Sequence, residues 1–149
     1  MEGNFGNLEM DQLNSGRVRA RVGVLAFNSI KMDNKEFGIK LEKRTGKFAF
    51  LIVKLSGSLP KSSEGNVIRN QITKSGTSIG ANYREANRAR SKADFSNRIK
   101  ICESETSETI YWLNLIDDLK WADSTKLKFL ISEANEFLAI FASAGKNLN

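Results

Sequence analysis

Between positions 84 and 100 the chain concentrates six cations: Arg84, Arg88, Arg90, Lys92, Arg98 and Lys100. Four of them fall within nine positions, where Glu85 is the one acid. Guanidinium and ammonium groups at this density attract polyanions, because each one that meets a phosphate can release a condensed counterion. Such contacts go to the nucleic-acid backbone and carry little sequence information. The six residues are therefore the candidate nucleic-acid-binding set. The same crowding has a second resolution, head-to-tail self-association, in which an acidic surface of another copy meets the basic end. A formal net charge of +6 accords with either. Tyr83 is the main ring available nearby for base stacking, and its place on an apolar stripe assigns it to packing instead.

Other chemistries find less support. The chain has no histidine, which removes the usual general base near neutral pH, the commonest metal ligand and the Glu-x-x-His pairs of carboxylate di-iron bundles. Glu105 and Glu108, three apart, have the spacing of an acid–base pair. With no histidine, no obvious nucleophile and no phosphate-cradling loop beside them, they are expected to pair with arginines across helices. The stretch "SGTSIGAN" at 75–82 lacks the Gly-Lys-Ser/Thr ending of a P-loop. Cys102, the only cysteine, falls on an apolar stripe and reads as a small buried hydrophobe. A lone cysteine permits no internal disulfide and suits a reducing cytoplasm. No catalytic residue, metal, cofactor, small-molecule substrate or membrane association is expected.

The elements that must carry these residues follow from periodicity. From about residue 34 apolar positions recur at helical spacing. Phe37, Leu41, Phe48, Ile52, Leu55 and Leu59 form a first stripe, closed by Leu59-Pro60, the only proline. A turn with Ser62, Ser63 and Gly65 follows, one serine capping the next helix. The second stripe, over about 64–88, is Val67, Ile68, Ile72, Ile79, Tyr83 and Ala86. Gly76 and Gly80 in its middle mark either a close approach of a neighbouring helix or a local break. Ser91 with Asp94 three positions on resembles a capping box. It opens a third helix with Phe95, Ile99, Cys102, Thr106, Ile110, Leu113 and either Ile116 or Asp117 on the apolar stripe. Asp123 or Ser124 caps a fourth, with Leu127, Leu130, Ile131, Ala134, Phe137, Leu138, Phe141 and Ala144 inward and Gly145 placed to end it.

Short turns between consecutive helices make neighbours antiparallel, so the fold class is all-α: an up-down-up-down four-helix bundle over 34–149. Residues 1–33 differ, with four glycines, no helical stripe and a strand-like patch "RVRARVGVLAF". They are expected to be a poorly structured leader, flexible or over-extended, with Met32 as the initiator. Apolar runs such as "FAFLIV" fall far short of the roughly 20 residues a membrane span needs.

Charge along the third helix is polarised against the helix macrodipole: basic at its start, then Glu103, Glu105, Glu108, Asp117 and Asp118 with no base between Ile101 and Leu119. Lys61, Arg69, Lys126 and Lys128 on neighbouring helices are expected to answer the acidic end. No such partner is evident for the basic end.

The run "QITKSGTSIGANYREANRARSKADFSNRIKICESETSETIYWLNLI", residues 71–116, closely resembles the four-helix-bundle family first named for reading frames in intervening sequences of 23S rRNA genes. The resemblance rests on Ser78, Ile79, Gly80, Ala81, Asn82, Glu85 and Ala86, on Ser91, Lys92, Asp94 and Phe95, and on Glu108, Thr109, Tyr111, Trp112 and Leu113. It extends more loosely to the first helix, while the leader has no counterpart. It implies an antiparallel bundle without enzymatic activity, often assembled as a homo-oligomeric pentamer. Related proteins serve as accessory proteins of diversity-generating retroelements, so RNA and reverse transcriptase are the partners it implies. A protein-interaction scaffold without nucleic acid is the alternative.

Overall fold

The computed structural model describes residues 34–147, and the expectations for residues 1–33, including a strand over 17–27 and initiation at Met32, lie outside them. Four helices follow in order: α1 Asn34–Ser58, α2 Ser63–Ala86, α3 Lys92–Asp118 and α4 Ser124–Lys146. No strand occurs among the described residues, and no helix there is long and apolar enough to cross a membrane.

The starts of α2, α3 and α4 are each fixed by a side chain that accepts from an otherwise orphan helix amide. Ser62 Oγ accepts from Gly65 N at 3.0 Å, Ser91 Oγ from Asp94 N at 3.1 Å, and Asp123 Oδ1 from Lys126 N at 2.9 Å. Gly65 is required where it stands, because a Cβ there would lie 1.9 Å from the Pro60 carbonyl oxygen. The capping box at Ser91 is only half formed: the Asp94 carboxylate turns to Arg98, 3.8 Å away, one helical turn on. At the end of α3, Trp121 N bonds to Ile116 O and Lys120 N to Asp117 O, with Lys120 at φ 57°. This is a Schellman ending in which lysine takes the left-handed position usually given to glycine. Gly145, expected to end α4, instead lies within its last turn, and Asn147 is the cap.

The antiparallel order is legible in the contacts. The C-terminal end of α2 meets the start of α1, where Asn87 Nδ2 donates to Gly38 O at 3.2 Å. The start of α2 meets the end of α1, where Thr73 Oγ1 donates to Ser56 Oγ and Ser56 Oγ to Arg69 O. Across α2 and α3, Cys102 Sγ lies 3.6 Å from Ile79 O, and the Thr109 and Ser75 hydroxyls are 3.0 Å apart. α2 is continuous through both mid-helix glycines, so the close-approach reading holds and the break does not. A Cβ on Gly80 would sit 3.3 Å from the Thr45 carbonyl, and one on Gly76 would sit 2.7 Å from Ile52 Cγ2.

All the stripe residues expected on α1, α3 and α4 are buried or half-buried. Val67 departs from expectation: it is 57% exposed, because Ile68 takes the inward position beside it. Ile140, not assigned inward from its spacing, joins the core. The α1 and α4 backbones do not approach as closely as the three sequential pairs. Large side chains span that gap: Phe48 meets Phe137 edge-to-face with centroids 5.3 Å apart, a favoured aromatic geometry.

Candidate nucleic-acid interface

The six candidate cations gather around one end of the bundle, but not on one face. Arg84 and Arg88, in and just beyond the last turn of α2, lean toward α1. Arg90 lies in the α2–α3 turn and Lys92 opens α3, both exposed at the tip. Arg98 faces α2, where its Nη1 donates to Asn82 Oδ1 at 3.3 Å. Lys100, two residues on and so about 200° around the helix, lines an open groove between α3 and α4 with Glu103, Tyr111 and Leu138. The arrangement is a belt rather than a patch.

Part of this charge is answered within the chain, which the sequence reading did not foresee. Glu42 of α1 receives both Arg88 at 3.4 Å and Arg84 at 3.9 Å. Its carboxyl is held below the usual carboxylate range, first by the Asn87 amide that donates to it and then by the Arg88 and Arg84 guanidiniums. The expectation considered only α2 and α3, and the answering acid comes from α1, 42 and 46 positions back. Two guanidiniums share one carboxylate, and Arg98 has Asp94. Arg90, Lys92 and Lys100 form no ion pair among the described residues. Lys92 also stands at the positive end of the α3 dipole, which adds to the pull on an anion there.

The acidic half of α3 does not behave as expected. No arginine reaches Glu105 or Glu108: the part of α2 packed there offers the uncharged Ser75 and Ile79, with Lys74 the nearest cation of consequence. Glu108 instead accepts from Trp112 Nε1 at 3.2 Å. Glu105 Oε2 is buried without a partner, and burial, with Glu108 beside it, raises its carboxyl above the usual range. Lys61, Arg69, Lys126 and Lys128 make no ion pair with α3 among the described residues, and the buried Arg69 Nε has no partner.

Two groups with possible chemistry are sealed into the core. Tyr83 is 5% exposed with its ring 5.8 Å from that of Phe141, and burial pushes its hydroxyl up to about 12. It packs and is not a stacking platform for a base. Cys102 is fully buried, and desolvation pushes its thiol up to about 12, so it is not a thiolate nucleophile at neutral pH. A cluster missed in the sequence lies between α1 and α4, where Arg44 forks onto Glu133 (Nε–Oε1 2.6 Å, Nη2–Oε2 2.7 Å) and also contacts Glu136. Its guanidinium sits 5.1 Å from the Phe137 ring centroid. Only the heptad-like placement of Glu133 and Glu136 beside an apolar stripe hinted at it.

Residues 39–143 match the family described as 23S rRNA-intervening sequence protein. Among solved structures, the chain is similar to a Bacteroides thetaiotaomicron protein with unknown function from the S23 ribosomal protein family. The two share 34% identity at a TM-score of 0.67, over 73% of this chain and 97% of that one. No curated protein matches.

Proposed function

The chain belongs to the family of 23S rRNA-intervening sequence proteins, and from that premise we propose that it is a non-enzymatic, cytoplasmic homo-oligomer that binds structured RNA or a ribonucleoprotein through its basic end. A reverse transcriptase with its RNA is a client of that kind, and a pentamer is the expected stoichiometry. The observation that supports this reading best is the exposed pair Arg90 and Lys92, which form no ion pair among the described residues. Arg84, Arg88 and Arg98 flank them and are partly neutralised, which leaves fewer free charges than the sequence suggests. Affinity should therefore be moderate per protomer and gain from repetition in an oligomer.

The test is fluorescence anisotropy with a labelled structured RNA across a salt series. Wild-type affinity should fall steeply with salt and vary little among RNA sequences. Replacing Arg90 and Lys92 with glutamine should reduce the slope of log K against log salt by about 2, roughly 1 per lost phosphate contact, with helicity unchanged. No binding at low salt, or an unaltered slope, defeats the proposal. The second reading, a protein-interaction scaffold without nucleic acid, is favoured by Phe50 and Tyr111, which are 62% and 60% exposed. Its signature is concentration-dependent assembly with no RNA affinity.

A further inference from the structure

The bundle leaves two helix faces outside its core, and each carries a pattern that the fold does not use. On α1, Ile39, Lys43, Gly46, Phe50, Val53 and Gly57 recur at alternating steps of four and three, the spacing of a coiled-coil seam. Here that seam faces solvent: Ile39, Phe50 and Val53 are 48%, 62% and 47% exposed. A Cβ on Gly46 or Gly57 would meet nothing within 4 Å. Lys43 within the seam, and Lys47 and Lys54 beside it, are exposed and without ion pairs among the described residues. On α3, Ile101, Ser104, Glu108 and Tyr111 repeat the same steps, with Ile101 40% and Tyr111 60% exposed. The charge there is mainly opposite, from Glu103 and Glu108, neither of which has an ion pair among the described residues, with Lys100 the cation at the N-terminal edge of that face.

We infer that the outer face of α1 docks on the outer face of α3 of a second copy, a placement that rests on the homo-oligomer reading above. α1 and α3 both run antiparallel to α2 and are therefore parallel to each other, on non-adjacent corners of the bundle. Their levels can be compared through α2. Thr45 abuts Gly80, next to Ile79, whose carbonyl takes the Cys102 thiol; Ile52 abuts Gly76, next to Ser75, which meets Thr109. Residues 47–54 of α1 thus stand at about the height of residues 103–111 of α3. Copies related by rotation about an axis parallel to the helices keep that height. Lys47 then lies level with Glu103, and Phe50, Val53 and Lys54 with Glu108 and Tyr111. Pairing α1 with α1 would set lysine against lysine, and α3 with α3 acid against acid. Charge therefore selects the heterologous contact, which closes into a ring where the rotation permits.

Charge reversal with sedimentation velocity tests this. Wild type, Lys47→Glu with Lys54→Glu, Glu103→Lys with Glu108→Lys, and all four together are compared at equal concentration, with circular dichroism as the check on folding. Each pair alone should shift the protein to a lighter species, and the fourfold variant should regain the wild-type mass. Phe50→Ser, at a solvent-facing position, should also lighten it. If wild type is oligomeric and the paired variants keep its mass, or the fourfold variant fails to reassemble, the α1–α3 assignment falls while the oligomer reading stands. Tighter assembly with the lysine reversals alone would show a different pairing and likewise overturn it. A wild type that is monomeric at all concentrations sinks both.

Discussion

Arg44 makes two α4 carboxylates and one aromatic ring depend on a single guanidinium. Glu133 and Glu136 are mostly buried, at 12% and 11% side-chain exposure, so they stand as like charges in a poor solvent once the cation is gone. Arg44→Met should lower unfolding stability by about 2–4 kcal/mol in urea titrations, since breaking a desolvated pair leaves uncompensated charge. Adding Glu133→Gln and Glu136→Gln should restore most of that loss, as expected for residues of one network. Glu105 gives a pH signature. Burial raises its folded pKa above the unfolded value, so its stabilising contribution is complete below the unfolded carboxylate range and is lost as pH rises through the folded pKa. Ionising the covered carboxyl is a net cost to the fold. Glu105→Gln should then raise the melting temperature at pH 7, and that gain should shrink as the pH is lowered below 5. Equal gains at both pH values would show that burial of charge is not the cause. Neither environment was legible in the sequence: Arg44 and Glu133 are 89 positions apart, and only packing tells which carboxylate of α3 is covered.

At the scale of elements, the helices were legible because their signals are local. Cap serines, the single Leu-Pro step and three-four apolar spacing each act within a turn or two of chain. Glycines were not equally legible, because a missing side chain signals nothing about what stands opposite it. Gly46 and Gly76 lie in the middle of two well-formed helices, yet one faces open space and the other faces Ile52. Gly46→Ala should stabilise by about 0.8–1 kcal/mol through helix propensity alone. Gly76→Ala should destabilise by about 1–3 kcal/mol despite the same propensity gain, because the buried, β-branched Ile52 must move. Chemical denaturation of the two variants reads both signs, and a shared sign would show that the α1–α2 approach is looser than described. Val67 was misplaced for a related reason. Periodicity defines an apolar stripe to within about one position, and the neighbouring helix decides which edge of the stripe is covered.

On the scale of the whole molecule, charge is the property that changes most between chain and fold. Along the sequence the cations of 84–100 stand beside only Glu85 and Asp94; in the bundle α1 brings Glu42 to two of them and α3 turns Lys100 away from Arg98. What remains is a tip where Arg90 and Lys92 form no ion pair among the described residues, and two outer seams of opposite charge on non-adjacent helices. The sequence by itself determined four amphipathic helices, their order, their antiparallel sense and the absence of histidine chemistry, because propensity, capping, loop length and residue type are fixed by neighbours in the chain. Only the tertiary structure decided which cations keep their charge unanswered, which glycines touch a neighbour and which apolar residues are left outside. Coulombic and packing energies depend on distance in space, and that distance is set when four helices choose their faces together.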